Sequence, residues 1–424
     1  MDKKKIILII GLCLCSCCTI GQVKHDYKPL SKSQQTDIDN MMFAREVSSF
    51  IVNDRIPIGP INLTNVLNII SHNPIEGTRI RLSAETNNKT FSSSKFLKNR
   101  LAFSAMAAYG FEDQRFKYGV GAAFNFATKP KGVYSFPCST LNINWEDNTY
   151  SPSYPNYDVA YFSFGSWDRF YFASKKQFSV SFLQEFPSAF AFRPFAYWQK
   201  IDSYLLYDAG NITELLDPNY DYINKAVGIE LSYSPSRKGF NLFNILNSRF
   251  YSLPTQFSVS YSYNIQSYRF DNEYNKIEAT LQHRFFFKPM ALDFKIVGGK
   301  IFGTSNRYMY FTPNYMTTTV SNTFGFNLYS PYEMMFKEYV QTFTQWNFGG
   351  ILLDNITFFK KFRPNEFVNF KALLTADNTP YAEVGVGIDH ILSFFGLEVV
   401  KRLSNENPYD MPEWAIKIRC NIGF

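Results

Sequence analysis

Four histidines are the residues of this sequence best suited to metal binding or acid–base catalysis. They stand at positions 25, 72, 283 and 390. Zinc sites need ligands at short, regular spacings and often use paired cysteines, and these histidines have neither. The sequence also contains no Gly-x-Ser-x-Gly elbow, no phosphate-binding glycine-rich loop and no dinucleotide fingerprint on a strand-to-helix turn. It therefore predicts no catalytic residue, no cofactor and no metal.

One enzymatic alternative stays open, because a Ser–His or Asp–His pair can be assembled from distant strands. His283 and His390 are the only histidines on segments that we predict as barrel strands. Alternation of residue types places His283 on the apolar side of its strand. A hydrolase inside a barrel is therefore the lowest-ranked function, and we expect a protein that is not an enzyme.

Charged residues at alternate positions of several strands indicate a different kind of chemistry. They carry both signs, and their apolar neighbours in each strand point the other way. Such a pattern is typical of a polar barrel interior and also suits a passive pore for small solutes. The candidates for the lumen-facing positions are Arg79, Arg81, Glu85, Lys117, Glu278, Arg284, Glu383, Asp389, Arg402 and Arg419.

The last segment of the chain shows this alternation most clearly. Trp414, Ile416, Ile418, Cys420, Ile422 and Phe424 alternate with mostly polar residues. In a membrane barrel the apolar set would face lipid, whereas in a soluble sheet it would be half buried. A last strand whose C-terminal residue is aromatic resembles the signal that the barrel-assembly machinery recognises. The residues expected to form that signal are Trp414, Ile416, Ile418 and Phe424.

The same period of two recurs along the chain, which contains 44 Phe, 28 Tyr and 5 Trp. Segments of ~10 alternating residues have the length of tilted strands that cross a bilayer. We count roughly sixteen of them, which predicts an all-β fold with one closed antiparallel transmembrane barrel. An even count places both termini in the periplasm of a Gram-negative envelope.

The N-terminus predicts export. Lys3, Lys4 and Lys5 precede a short apolar stretch that ends near the small residue Gly21, which is typical of a secretory signal peptide. We expect a signal peptide over 1–21, a partly helical periplasmic leader over 22–56 and the barrel over 57–424. A lipobox-like alternative would leave a lipidated Cys17 at the mature N-terminus.

Cysteine usage and charge limit the partners. Cys138 and Cys420 are the only cysteines after the signal peptide, and we expect no disulfide between them because their strands lie far apart in the predicted barrel. The net charge of +7 is spread along the chain, so no nucleic-acid partner is predicted. The expected partners are outer-membrane lipid, the assembly machinery during insertion and an envelope protein that the sequence does not identify.

The sequence predicts three long external loops, near 149–177, 201–222 and 303–337, and the last of them joins the predicted eleventh and twelfth strands. Loops of this length are usually functional or disordered. Residues 303–337 are rich in tyrosine and phenylalanine, whereas disordered segments contain few aromatic residues, so the composition argues against disorder. We predict that this loop folds into the lumen or caps it. The alternative is an aromatic loop packed on the outer rim.

Several motifs together resemble a known family. They are Asn73-Pro74-Ile75-Glu76-Gly77-Thr78-Arg79, Tyr109-Gly110-Phe111-Glu112-Asp113, Gly299-Lys300-Ile301-Phe302-Gly303, Phe359-Lys360-Lys361-Phe362-Arg363 and Pro380-Tyr381-Ala382-Glu383-Val384-Gly385. Over roughly residues 50–424 the chain is similar to a family of uncharacterised outer-membrane barrels that often follow a carboxypeptidase-regulatory-like domain. We expect this chain to carry the barrel only.

The barrel of that family is in turn similar to the BamA, TamA and FhaC superfamily, whose long loop carries a Val-Arg-Gly-Phe/Tyr tip inside the lumen. The nearest stretch here, Thr323-Phe324-Gly325-Phe326, lacks the arginine, so that contact is not carried over. The resemblance implies a non-enzymatic outer-membrane barrel that acts in export, assembly or envelope maintenance. A passive pore and a lumen hydrolase are the two alternatives.

Overall fold

The computed structural model describes residues 55–420. Within that range it leaves out the segments 65–68, 151–168, 236–254, 315–320, 330–334, 357–364, 377–379, 392–394 and 405–411, the pairs 288–289 and 354–355, and positions 88, 129, 209, 218, 269, 322 and 352. The predicted signal peptide, residues 22–54 of the predicted leader, Cys17 and Phe424 lie outside the described residues.

The described residues form nineteen β-strands. They are β1 (Arg55–Ile58), β2 (Ile61–Thr64), β3 (Ile70–Asn73), β4 (Gly77–Thr86), β5 (Leu101–Gly110), β6 (Phe116–Asn125), β7 (Ser139–Tyr150), β8 (Arg169–Glu185), β9 (Phe190–Asp208), β10 (Asn211–Glu214), β11 (Tyr222–Tyr233), β12 (Gln256–Tyr268), β13 (Phe270–Phe287), β14 (Met290–Gly303), β15 (Glu338–Asn347), β16 (Asn365–Thr375), β17 (Tyr381–Ile391), β18 (Phe395–Arg402) and β19 (Trp414–Cys420).

The chain is all-β, as predicted. Every ladder in the described part is antiparallel, and consecutive strands pair from β4 through β9, then β9 with β11, and so on to β19. The one helical element with assigned bounds is a single 3-10 turn at Arg307–Met309. In the described part of the chain no helix has the length and hydropathy needed to cross a membrane.

The first strand of the series is interrupted. β2 pairs with the end of β4 that holds Thr86, and β3 pairs with the end that holds Gly77. β1 forms a hairpin with β2 at one end of this series. The described ladders contain no pairing of β19 with β2 or β3, so the closure of the barrel stays a prediction.

The two faces of the sheet have the opposite character to those of a soluble protein. On one face large apolar side chains are exposed, such as Leu82 (58%), Val227 (57%) and Trp414 (61%). On the other face charged side chains such as Arg79 and Glu383 have no exposed surface. Buried polar and exposed apolar groups are the informative exceptions to ordinary burial, and here they alternate along the strands, as in a sheet that faces lipid.

Two long loops expected from the sequence are shorter than predicted. We expected loops near 149–177 and 201–222, but β8 begins at Arg169, β9 continues to Asp208 and β10 follows as a short hairpin strand. Residues of these strand ends, including Tyr171, Phe172 and Tyr204, pack in a buried aromatic cluster. Packing against that cluster extends the strands beyond the length that a bilayer requires.

Candidate functional site

The long loop leaves the sheet after β14 and returns at β15, and these two strands pair directly. Several of its described apolar residues are buried, with Met309 7%, Phe311 3%, Phe326 0% and Phe336 4% exposed. Such burial requires the loop to pack on other parts of the protein. We call the first residues of the loop, 304–314, its root and residues 321–328 its tip. The contacts of these two segments show which parts of the protein the loop packs on.

The root of the loop packs on the long β8–β9 hairpin. The ring of Tyr308 lies 4.7 Å from the ring of Tyr204, between centroids, and its hydroxyl donates to the carbonyl of Leu215. The backbone N–H of Asn306 donates to Oε1 of Gln266 at 2.6 Å. These contacts hold the first turn of the loop against the ends of neighbouring strands.

The tip of the loop docks on the polar face of β16 and β17. Glu383 accepts hydrogen bonds from the backbone N–H groups of Asn327 (2.8 and 3.1 Å) and Leu328 (3.0 Å). Lys371 donates to the carbonyl of Gly325 at 2.8 Å and lies 3.4 Å from Glu383. The strands thus supply both charges and the loop supplies backbone groups.

A second set of contacts joins the tip to β18 and β19. Glu398 accepts from the Ser321 hydroxyl and from Asn327 Nδ2 (3.3 Å). Arg419 Nη2 donates to Thr323 Oγ1 at 2.5 Å, and its Nε lies 3.4 Å from Asp389 Oδ1. Four charged side chains of the strands therefore surround the described part of residues 321–328. We call Lys371, Glu383, Glu398 and Arg419 the anchor residues.

Apolar packing completes this docking. The ring of Phe326 lies 5.2 Å from that of Phe343 and 5.4 Å from that of Tyr381, and the Arg419 guanidinium lies 4.0 Å from the ring of Phe367. Aromatic pairs at such distances contribute about 0.5–1.5 kcal/mol beyond the area that they bury. The Phe326 side chain therefore packs between the anchor residues and the aromatic side chains of β15 and β17.

The charged groups in these contacts belong to the strands. Arg419 and Lys371 reach the loop tip from β19 and β16, whereas Thr323-Phe324-Gly325-Phe326 contains no charged side chain. The expectation that the arginine contact of the superfamily is not carried over on this stretch stays a prediction.

The structure brings together three of the predicted lumen-facing residues, namely Glu383, Asp389 and Arg419. Sequence reasoning missed two of their partners, Lys371 and Glu398. Both alternate with apolar residues in β16 and β18, so strict alternation would have selected them.

The other predicted positions form separate contacts. Glu278 accepts from the hydroxyl of Tyr339 at 3.0 Å, and Arg284 pairs with Asp293. Arg402 is buried, whereas Arg81 donates to Ser83 and Glu85 accepts from Asn62. On the opposite face, Trp414, Ile416 and Ile418 are exposed.

A second buried cluster includes Arg79 and Lys117, at the turns of the β3–β4 and β5–β6 hairpins. Glu76 Oε1 lies 2.5 Å from Lys117 Nζ, and Glu76 Oε2 lies 3.3 Å from Arg79 Nη1. Lys117 also contacts Asp113 Oδ2 at 2.5 Å. Asn73 donates to Glu76 at 2.6 Å. Two of the motifs of the resemblance therefore meet in one ion cluster, formed by these five residues.

Gly77 shows why this cluster needs its glycine. Its φ is +62°, and a Cβ at this position would lie 2.1 Å from Cγ of Glu112. A positive φ is unfavourable for residues with a side chain. The turn therefore depends on glycine both for its backbone conformation and for its contact with the second hairpin.

The ion cluster predicts a local acid sensitivity. Burial raises the pKa of Glu76, but the charges of Arg79 and Lys117 outweigh it and hold that pKa below its ordinary value of 4.5. Ionised Glu76 thus stabilises the folded hairpin above pH 4.5, and this contribution is lost as the pH falls through the lowered pKa. Hydrogen exchange of residues 73–79 should accelerate on acidification. In Glu76→Gln this pH dependence should be absent, and an unchanged profile would contradict the prediction.

Among the described residues no group of three His, Cys, Asp or Glu side chains is placed to hold a metal ion. His283 packs on Phe285 and contacts Thr255 Oγ1 at 2.7 Å, on the face of β13 that exposes Leu281 and Phe285. The side chain of His390 lies outside the described residues.

Cys138 is buried beside Thr140, with Sγ and Oγ1 2.8 Å apart. The side chain of Cys420 lies outside the described residues. The expectation that the two cysteines form no disulfide stays a prediction.

Residues 225–388 match the model of a family described as "Family of unknown function (DUF5686) C-terminal domain". This confirms the resemblance to an uncharacterised family over that part of the chain, and the expectation that this chain carries the barrel only stays a prediction. No curated protein matches the chain.

Two solved structures are similar to the chain at low identity. BamA from Haemophilus ducreyi lacking POTRA domains 1-3 has a TM-score of 0.44 and 8% identity, with 93% of this chain and 80% of that chain covered. CdiB from Acinetobacter baumannii has a TM-score of 0.40 and 7% identity. That match covers 82% of this chain and 57% of that one.

Proposed function

We propose that the chain is an outer-membrane β-barrel whose interior is occupied by the long loop. In this proposal it is not an enzyme and acts in export, assembly or envelope maintenance. The observation that carries the proposal is the docking of residues 321–328 on the anchor residues. A passive pore needs an unobstructed lumen, and buried ionic contacts between loop and wall do not suit one.

A closed barrel of about sixteen strands is part of the proposal. Counting β2 and β3 as one interrupted strand, and setting aside the short hairpin strands β1 and β10, leaves sixteen strands in the series of pairings. Closure would pair the backbone groups of β19 and the first strand, which hydrocarbon requires. The exposed apolar face supports a membrane location.

The cellular arrangement follows from the sequence pattern. We propose a signal peptide over 1–21, a periplasmic leader over 22–56, a barrel over 57–424 and both termini in the periplasm. The exposed side chains of Trp414, Ile416 and Ile418 are available for the assembly machinery, with Phe424 as the end of that signal. The lipidated form of Cys17 remains the alternative maturation.

Solute permeation tests the proposal. The full-length protein in liposomes should give no measurable swelling in a small sugar, because the docked loop fills the lumen. Deleting residues 304–336 should produce swelling at a rate comparable with that of a porin. Rapid swelling with the full-length protein would instead establish a passive pore.

A further inference from the structure

We propose that a groove on the exposed apolar face, over β8, β9, β11 and β12, binds one phosphorylated membrane lipid. An acyl chain would lie in the groove and the headgroup phosphate would contact Lys225. The proposal rests on the proposed membrane location and adds a specific lipid site to it.

The groove has a volume of about 370 Å³ and an almost wholly apolar lining. Ligand pockets commonly measure roughly 300–1,000 Å³ and combine apolar walls with a few polar groups. The lining includes Phe178, Ala196, Trp198, Val227, Tyr263 and Ile265, together with Lys225. An extended hydrocarbon chain fits this composition.

The register explains why a groove forms here. Ala196 lies directly opposite Val227 in the β9–β11 ladder, so small and branched side chains stand between larger aromatic ones. Trp198 stacks on Trp145 with ring centroids 6.1 Å apart and planes 10° apart. That stacking holds one wall of the groove in place.

Lys225 supplies the polar end of the site. It is exposed on the same face as Val227 and lies opposite Trp198 and Ile265 in the two adjoining ladders. Within the described part of the chain it has no ion pair. A lysine surrounded by apolar and aromatic side chains at a membrane surface is favoured when an anion lies beside it.

The charges next to Lys225 place it at the edge of the apolar zone. Lys176 and Lys200 lie opposite each other in β8 and β9, one row beyond Lys225 along the outer face. Lys200 contacts Asp221 at 2.6 Å, and Lys176 contacts Asp202 at 3.1 Å. Glu273 accepts a hydrogen bond from the hydroxyl of Tyr263, a residue of the groove lining. The arrangement of a cation above an apolar groove matches the headgroup and chain of an anionic lipid.

Quenching of tryptophan fluorescence by brominated lipids tests the proposal. The full-length protein is reconstituted into phosphatidylcholine with a small fraction of brominated phosphatidic acid or of brominated phosphatidylcholine. The quenching lost on Trp198→Phe isolates the signal from this groove. We expect this signal to favour phosphatidic acid, and Lys225→Gln should lower the preference about fivefold, as expected for one cation at an anionic surface.

Lys401→Gln is the matched control, because Lys401 is exposed on the same kind of face, at the end of β18. It should retain the full preference. Equal quenching by both lipids, or a preference that Lys225→Gln leaves intact, would overturn the lipid site while leaving the membrane location in place. Absence of quenching by either lipid would contradict both proposals.

Discussion

Replacing Glu383 with alanine is expected to open the proposed barrel to ions. The carboxylate is fully buried, accepts two backbone N–H groups of the loop and pairs with Lys371. Removing one partner of a buried ion pair costs about 3–5 kcal/mol, because the other charge stays buried. A loss of about 3 kcal/mol lowers the ratio of docked to undocked loop roughly a hundredfold.

Planar-bilayer recordings measure this effect. The wild-type protein should give a silent bilayer, Glu383→Ala should give frequent conductance steps, and Glu383→Gln should lie between them because it keeps an acceptor. Glu413→Ala is the matched control, since Glu413 forms an exposed pair with Lys401 at 3.6 Å. Exposed pairs contribute about 0–1 kcal/mol. A silent Glu383→Ala, alongside a conducting loop deletion, would show that Glu383 does not hold the loop.

Replacing Lys117 with methionine is expected to destabilise the fold more than any exposed lysine does. Methionine keeps much of the side-chain volume but removes the charge that contacts Glu76 and Asp113, both at 2.5 Å. Glu76 would remain fully buried with Arg79 as its remaining cation. We expect a loss of about 3–5 kcal/mol in the free energy of unfolding.

Urea unfolding in liposomes, followed by tryptophan fluorescence, measures this loss. Lys300→Met is the control, because Lys300 pairs with Glu338 at a similar distance of 2.6 Å but with both side chains almost half exposed. That change should cost about 0–1 kcal/mol. Equal urea midpoints for Lys117→Met and Lys300→Met would mean that burial of the ion cluster contributes nothing to stability.

The all-β fold could be predicted from the sequence because each strand carries its own signal. Alternation placed Arg79, Glu383 and Arg419 on one face and Trp414 and Ile418 on the other, without knowledge of their partners. The period of two is a local property of the strand backbone, and the side chains on one face of the sheet share one environment. The fold class could therefore be inferred from residue types alone.

The site could be predicted only in part, because its contacts join distant segments. Glu383 accepts a hydrogen bond from the backbone N–H of Asn327. A contact made by a backbone group leaves no trace in the pattern of side-chain types. The contact between Arg419 of the last strand and Thr323 of the loop is likewise a long-range contact that neither local pattern reveals. The lengths of β8 and β9 likewise depend on aromatic packing with the root of the loop.

Cross-linking of the loop tip to the wall tests the central claim most directly. In a background with Cys138→Ser and Cys420→Ser, cysteines replace Thr323 and Gln345, which both contact Arg419 Nη2, at 2.5 and 2.6 Å. Phe311→Cys with Phe336→Cys, a pair bridged within the loop, is the positive control. If the loop occupies the barrel, a short thiol-reactive cross-linker applied to isolated outer membranes should join positions 323 and 345. Efficient cross-linking of the control pair with none between 323 and 345 would contradict this account.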